Sequence, residues 1–177
     1  MNISPHNHHI EMNLAKKVYF TFLITSFIWC ILIILAPVFA GNGGTEENFS
    51  RFIYIFFSSV CHQEDGRSFH IAGHILGVCS RCLWVYIGFF IGISLYPLKY
   101  KLNNTDSPNL WILFSVSFLM FLDVFLDMTG IFINTFFSRS VTGFLVGFTL
   151  PFYLIPGFVK FFYEINSFLR NKMSYKN

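Results

Sequence analysis

The residues best suited to chemistry in this sequence are three cysteines, at positions 61, 79 and 82, and the histidine that follows the first of them. Cys79 and Cys82 have the Cys-x-x-Cys spacing that recurs among metal ligands, and Cys61 or His62 would complete a set of four. Thiolate and imidazole ligands suit zinc. The sequence therefore predicts a metal site, with zinc as the metal, at Cys61, His62, Cys79 and Cys82.

The same thiols permit two other interpretations. Cys79 and Cys82 begin a predicted helix, and the positive end of the helix dipole favours the thiolate that both metal binding and disulfide exchange require. A thiol-disulfide site is the first alternative, and cysteines that only pack between helices are the second. Cys30 lies in the middle of an apolar run and is interpreted as a packing residue.

Charged residues in or beside apolar segments are the other candidates. Asp123 and Asp127 are four positions apart, which places them on one face of a helix. A carboxylate inside a membrane helix is costly and normally pairs with a cation, so one interpretation is an ion pair that fixes helix packing. In the functional interpretation Asp123 acts as acid or base or positions a water molecule, and the arginines bind an anionic substrate, such as a lipid phosphate. The candidate residues are Arg67, Arg81, Asp123, Asp127 and Arg139.

The rest of the chain is too apolar for a soluble domain. Of its 177 residues, 54% are hydrophobic and only 12% are charged, whereas about a quarter of the residues of soluble domains are charged. Apolar runs of about 20 residues recur, which is the length a helix needs to cross a bilayer. The net charge of +3 comes from basic residues at the ends of these runs and does not indicate a nucleic-acid partner. We expect an all-α, polytopic helical membrane protein whose partner is the lipid bilayer.

Four transmembrane helices are predicted, at residues 18–39, 79–96, 110–128 and 141–162, and the last of them is broken by Pro151 and Pro156. The apolar run at 49–60 is too short to cross upright and predicts a short interfacial or re-entrant helix, with a fifth, tilted span as the alternative. A single transmembrane domain then covers residues 16–165, between a polar, disordered N-terminal tail (1–15) and a cytoplasmic C-terminal tail (166–177). We expect the first span to be retained, because its apolar run is longer than that of a cleaved signal peptide.

Two pairs of glycines lie in the second and fourth spans. Gly88 and Gly92, like Gly143 and Gly147, have the small-xxx-small spacing that lets membrane helices approach closely. We expect these two spans to pack against each other within one chain, and dimerisation through them is the alternative.

The orientation in the membrane follows from the basic residues. Lys16 and Lys17 precede the first span, Lys99 and Lys101 follow the second, and further basic residues follow the fourth. By the positive-inside rule both termini are cytoplasmic, and the cysteine-containing loop between the first two spans faces out.

This orientation brings residues that are distant in the sequence to one depth in the membrane. At about 1.5 Å of rise per residue, the third span carries its two aspartates into the outer half of the bilayer. Arg81, in the first turn of the second span, and Arg139, just before the fourth span, lie at the same outer side of the membrane. The sequence therefore predicts a polar site at the outer membrane face, formed by the cysteine-containing loop together with Arg81, Asp123, Asp127 and Arg139.

These residues also resemble the signature of a known family. The family consists of small prokaryotic integral membrane proteins and is catalogued as domain of unknown function 2085; the resemblance rests on Cys61-His62-Gln63-x3-Arg67-Ser68-Phe69-x3-Gly73-x5-Cys79-x-Arg81-Cys82-x3-Tyr86-x-Gly88 and on the later Asp123, Arg139 and Gly143. Two features depart from the family pattern: Leu83-Trp84 stands in place of Thr-Gly, and Asp127 in place of Gln. The resemblance covers roughly residues 50–150 and implies location in the prokaryotic cell (inner) membrane. It implies no activity.

Three functions are compatible with these residues. The first is a metal-dependent membrane enzyme or metal-handling protein that uses the cysteines, the histidine and the charged residues together. The second is a thiol-disulfide redox membrane protein. The third is a non-enzymatic membrane scaffold or transport component, in which cysteines and ion pairs only join helices. The sequence does not decide whether the protein is an enzyme.

Overall fold

The computed structural model describes residues 5–41 and 43–174 and is almost entirely helical. The six α-helices in these residues are α1 (Pro5–Val38), α2 (Gly44–Ser58), α3 (Ser80–Lys99), α4 (Leu110–Met128), α5 (Phe136–Thr149) and α6 (Pro151–Ser174). A 3₁₀ turn (Asp65–Arg67) and an antiparallel pair of two-residue strands, β1 (His70–Ile71) and β2 (His74–Ile75), lie between α2 and α3. The prediction of an all-α protein is confirmed.

Four segments are long and apolar enough to cross a membrane: Met12–Val38, Ser80–Lys99, Leu110–Met128 and Phe136–Phe168. They correspond to the four predicted spans. Many large apolar side chains are exposed, and α4 contains no buried residue. Such exposure suits helices whose surroundings are lipid. The chain is therefore a polytopic helical membrane protein, whereas its orientation across the membrane stays a prediction.

The fourth span consists of two helices that meet at Pro151, one of the two predicted breaks, whereas Pro156 lies inside α6. It begins at Phe136, earlier than the predicted residue 141, and the helical assignment is interrupted at Leu150, directly before Pro151. Proline lacks a backbone N–H and cannot continue the hydrogen-bond ladder of a helix. The ladder resumes at once, because the Leu154 N–H donates to the Leu150 carbonyl at 3.0 Å.

The first helix also begins earlier than predicted. Residues 5–15 of the predicted disordered tail belong to α1, which starts at Pro5. Proline is favoured in the first turn of a helix, and once a span has formed, each added residue gains a hydrogen bond at little cost. Ala15 is fully buried in a cluster with Ile155 and Val159 of α6. Residues 1–4 of that tail and 175–177 of the C-terminal tail lie outside the described residues, and the division into domains stays a prediction.

The short helix α2 turns back along α1. Phe49 lies against Phe39, the Ser50 hydroxyl donates to the Ala36 carbonyl at 2.7 Å, and Phe57 lies against Trp29. The helix starts at Gly44, earlier than predicted, and is not among the four segments able to cross a membrane. This antiparallel course agrees with the expected short helix and brings the chain into the bundle directly before Cys61.

The closest helix contact joins α3 and α5 through their glycines. A Cβ on Gly143 would lie 2.5 Å from the Arg81 carbonyl oxygen, and one on Gly88 would lie 2.6 Å from the Phe144 carbonyl oxygen. Only glycine permits backbones to approach so closely. The predicted packing of the second span on the fourth therefore occurs within one chain.

The buried core forms two clusters at opposite ends of the bundle. One joins the first half of α1 to the last turns of α3 and the first half of α6, and consists of Ala15, Val18, Tyr19, Ile93, Tyr96, Ile155 and Val159. The other surrounds the cysteines and consists of Ile33, Ala36, Ile53, Phe57, Cys61, Leu76 and Val78. The polar residues singled out from the sequence gather at the second end.

Candidate functional site

The three cysteines predicted as ligands come together in the structure. Cys61 follows α2, Cys79 is the N-cap of α3, and Cys82 lies in the first turn of that helix. Their Sγ atoms all lie within 4.8 Å of one another, and all three are free thiols. Cys61 is buried, and its sulfur accepts a hydrogen bond from the Cys79 backbone N–H at 3.1 Å. The fold thus closes a loop to form a compact three-sulfur cluster.

Gln63 holds the two cysteine-bearing segments together. Its side-chain amide donates to the Tyr54 carbonyl at 2.9 Å and to the Gly77 carbonyl at 2.8 Å. The Tyr54 hydroxyl makes a parallel link to the Ile75 carbonyl. Gln63 has a φ of +51°, a left-handed conformation that non-glycine residues adopt at a cost. Sequence reasoning assigned Gln63 no role, since an amide that bridges two carbonyls leaves no pattern in the sequence.

The environment of the cluster favours a thiolate at Cys79. Hydrogen bonds from the Cys61 and Cys82 thiols lower the pKa of Cys79, and burial opposes them more weakly. The positive end of the α3 dipole acts in the same direction. Cys79 is therefore suited to the chemistry of thiolates, which are the form that binds metal and attacks disulfides.

His62, the fourth predicted ligand, is not a member of the three-sulfur cluster. It is exposed, whereas the adjacent Cys61 is buried, because neighbouring residues of a non-helical segment project in different directions. His62 does line the cavity that adjoins the cysteines. The structure thus brings together three of the four predicted ligands and leaves the fourth beside them.

This cavity has a volume of about 540 Å³ and mixes sulfur, charge and apolar groups. The three cysteines form part of its wall. Its charged lining comes from α3, α4, α5 and the loop before β1, in the residues Glu64, Arg67, Arg81, Asp127 and Arg139. The cavity therefore brings together the candidate residues from the sequence except Asp123, which is not part of its lining.

Asp123 is instead a bridge between helices. One of its oxygens lies 2.5 Å from an Arg81 guanidinium nitrogen and accepts a hydrogen bond from the Thr142 hydroxyl at 3.2 Å. Its backbone carbonyl accepts from the Asn134 side chain at 2.8 Å. The Asp123 and Arg81 side chains are 10% and 19% exposed, so the pair is largely shielded from solvent.

Asp127 lies between two arginines. Its carboxylate is 3.2 Å from Arg139, whose side chain is 8% exposed, and 3.6 Å from Arg67, which is half exposed. The Asn134 backbone N–H donates to the other carboxylate oxygen at 3.1 Å. Arg67 also pairs with Glu64 at 2.9 Å, so it links the loop to α4. Asn134, which the sequence analysis missed, fixes the end of α4 through both aspartates.

Two guanidinium groups keep a donor without an acceptor. The Nε atoms of Arg81 and Arg139 are buried and have no hydrogen-bond partner, although each arginine pairs with an aspartate through a terminal nitrogen. Buried donors of this kind are uncommon and call for an explanation, such as a ligand oxygen. Both arginines line the cavity next to the cysteines.

Comparison with known proteins adds a family but no activity. A family model described as a predicted membrane protein (DUF2085) matches residues 61–153, which include every cavity residue from the first cysteine onward. An uncharacterised protein of Methanocaldococcus jannaschii is 39% identical over 153 residues, covering 84% of this chain and 97% of the relative. An uncharacterised protein of Methanothermobacter thermautotrophicus is 40% identical over 47 residues, 25% of this chain and 42% of the relative. No solved structure matches the chain.

Proposed function

The chain belongs to the DUF2085 family of predicted membrane proteins, and from the geometry of its site we propose that it is a metal-dependent membrane enzyme. Cys61, Cys79 and Cys82 bind the metal. The observation that carries the proposal is the position of their sulfurs, within 4.8 Å of one another on the wall of a polar cavity. Thiolates bound to zinc at about 2.3 Å in a tetrahedron are about 3.8 Å apart, so small side-chain movements suffice.

Three protein ligands leave one position of a tetrahedral zinc ion open. That arrangement is typical of catalytic rather than structural zinc, and the open position takes a water molecule or a substrate oxygen. All three cysteines that would hold the metal belong to the cavity wall, so a water molecule or substrate would reach it from the cavity. His62 lines the same cavity and is the protein group that would compete for this position.

The substrate that suits the cavity carries an oxyanion, such as a phosphate. Formal charges alone do not favour an anion, since three arginines face three carboxylates in four ion pairs: Arg67 with Glu64 and Asp127, Arg81 with Asp123, and Arg139 with Asp127. The support comes from the unpaired Nε donors of Arg81 and Arg139, because guanidinium N–H groups match oxyanion geometry. Asp127 lines the cavity and is the candidate acid or base, whereas Asp123 positions Arg81.

Metal analysis of the full-length protein purified in detergent tests the metal site. We expect about one zinc per chain in the wild type and near-complete loss in Cys79→Ser, because two cluster ligands remain, fewer than the three protein ligands of a catalytic zinc site, and His62 is not a member of the cluster. Cys30→Ser is the matched control and should keep its zinc, since Cys30 is not a member of the cluster. A wild type that binds no stoichiometric metal, even after zinc is supplied, would sink the proposal.

A thiol-disulfide protein is the second candidate, and the same cluster supports it. Cys79 and Cys82 are free, and their sulfurs are close enough for side-chain rotation to join them. Alkylation before and after reduction separates the two functions. Cysteines that are labelled only after reduction, in protein that holds no zinc, favour the redox function; cysteines protected by zinc and released by a chelator favour the enzyme.

A further inference from the structure

A second cavity lies between α1 and α3 and also contacts Leu150, which joins α5 to α6. Its volume is about 350 Å³, within the range of ligand pockets, and its lining is almost wholly apolar. The side chains that define it are Phe22, Thr25 and Trp29 of α1 and Val85, Tyr86 and Phe89 of α3. Both helices are membrane-spanning segments, so the cavity lies among the lipid-facing parts of the molecule.

The two cavities share the same helix and are one turn apart. Arg81 and Cys82 line the polar cavity, while Val85 and Tyr86 line the apolar one. Residues separated by four positions lie on one face of a helix, about 6 Å apart along its axis. Trp29 and Tyr86 also pack against the buried cluster that contains Cys61. Polar and apolar binding surfaces therefore follow each other along one face of α3.

We propose that the substrate is an anionic membrane lipid, with its phosphate-bearing head in the polar cavity and one hydrocarbon chain in the apolar cavity. This inference rests on the proposed function and adds the substrate class. The physical reason is that a lipid so bound keeps its chain in apolar surroundings, since membrane-embedded side chains are about as apolar as lipid tails. Only its head moves toward the cysteines. A water-soluble anion would use the arginines and leave the apolar cavity without a role.

The head and tail sites are tested by separate variants of the full-length protein in detergent. The probes are phosphatidylglycerol and its water-soluble head, glycerol phosphate, with retention of the lipid measured by native mass spectrometry. Thr25→Trp fills the apolar cavity from an exposed position, so that the fold is not strained. Ile28→Trp is the matched control, because Ile28 lies on the same helix, is 50% exposed and does not line the cavity.

We expect the wild type to bind phosphatidylglycerol at least about tenfold more tightly than glycerol phosphate, and Thr25→Trp to lose about tenfold in lipid affinity. Ile28→Trp should behave as the wild type, and all three proteins should hold the same amount of zinc. The inference is overturned if Thr25→Trp retains the lipid fully, or if glycerol phosphate binds as tightly as the lipid. With either result, unchanged zinc content and anion binding would still support the proposed function. A wild type that holds no zinc would contradict both the proposed function and the lipid inference.

Discussion

Helix α5 packs against its two neighbours by opposite means. Toward α3 it presents glycines, and the backbones meet so closely that a Cβ on Gly147 would overlap the Val85 carbonyl. Toward α4 it presents polar side chains, and α4 itself buries no residue. The polar contacts of α4 are concentrated near its C-terminal end. There Asp123 bonds to Arg81 of α3 and to Thr142 of α5, and Asp127 bonds to Arg139 of α5.

The difference shows which parts of the site depend on each other. Membrane helices gain little from apolar burial, because lipid is as apolar as their side chains, so they associate by close packing or by polar contacts. The α3–α5 pair uses the first means and sets the positions of Arg81 and Arg139, which lie on these two helices. The α4 helix uses the second, and its aspartates therefore have a structural role in addition to any chemical one.

Breaking the glycine contact should have the largest effect. In Gly147→Val the new side chain meets backbone atoms of α3, which cannot move aside independently. Overpacking of this kind costs about 3 kcal/mol or more, and we expect most of the protein to be misfolded in detergent. Gly157→Val is the matched control, because a Cβ on Gly157 meets nothing within 4 Å. Size-exclusion profiles and thermal unfolding give the measurement; equal stability of the two variants would contradict the close contact.

Breaking the Arg81–Asp123 pair should lower the stability of the protein less than breaking the glycine contact, and should leave the zinc content unchanged. Asp123→Asn leaves Arg81 without its carboxylate in a largely shielded position, and we expect a loss of about 2–3 kcal/mol, below the full cost for a completely buried pair. Zinc content should stay close to that of the wild type, because none of the three cysteines lies on α4. Thermal unfolding and metal analysis on the same sample test this. Loss of zinc in parallel with stability would mean that α4 and the cysteine cluster form one unit.

The smallest effect should come from the outer partner of Asp127. In Arg67→Gln we expect a loss of less than about 1 kcal/mol, since the Arg67 side chain is 49% exposed and its ion pair is screened by water. Arg139→Gln is the matched change on the same carboxylate and should cost about 2 kcal/mol, because that arginine is buried. Thermal unfolding of the two variants ranks them. An equal loss in both would show that Asp127 is held from the loop as strongly as from α5.

Much of this architecture was accessible from local patterns. Helix α4 occupies residues 110–128 as predicted, because its apolar run is bounded by a polar loop and by Gly130. The helix bounds were less accurate where local cues conflict. Residues 5–15 read as a polar tail but continue α1, and the fourth span begins at Phe136 rather than at residue 141. The bridge made by Gln63 could not be found, since its partners are backbone carbonyls of two separate segments.

By itself the sequence determined the membrane class, the number of spans and the helix face that Asp123 and Asp127 share, because hydropathy and helical period are local properties of the chain. The tertiary structure decided which partners meet. It joins Asp123 to Arg81 and Asp127 to Arg139, and it brings three cysteines together while His62 stays apart. These pairings depend on the rotation of α3 and α5 about their axes, on how closely the two helices approach, and on how the loop between α2 and α3 closes. The spacing of residues along the chain does not determine any of these three features.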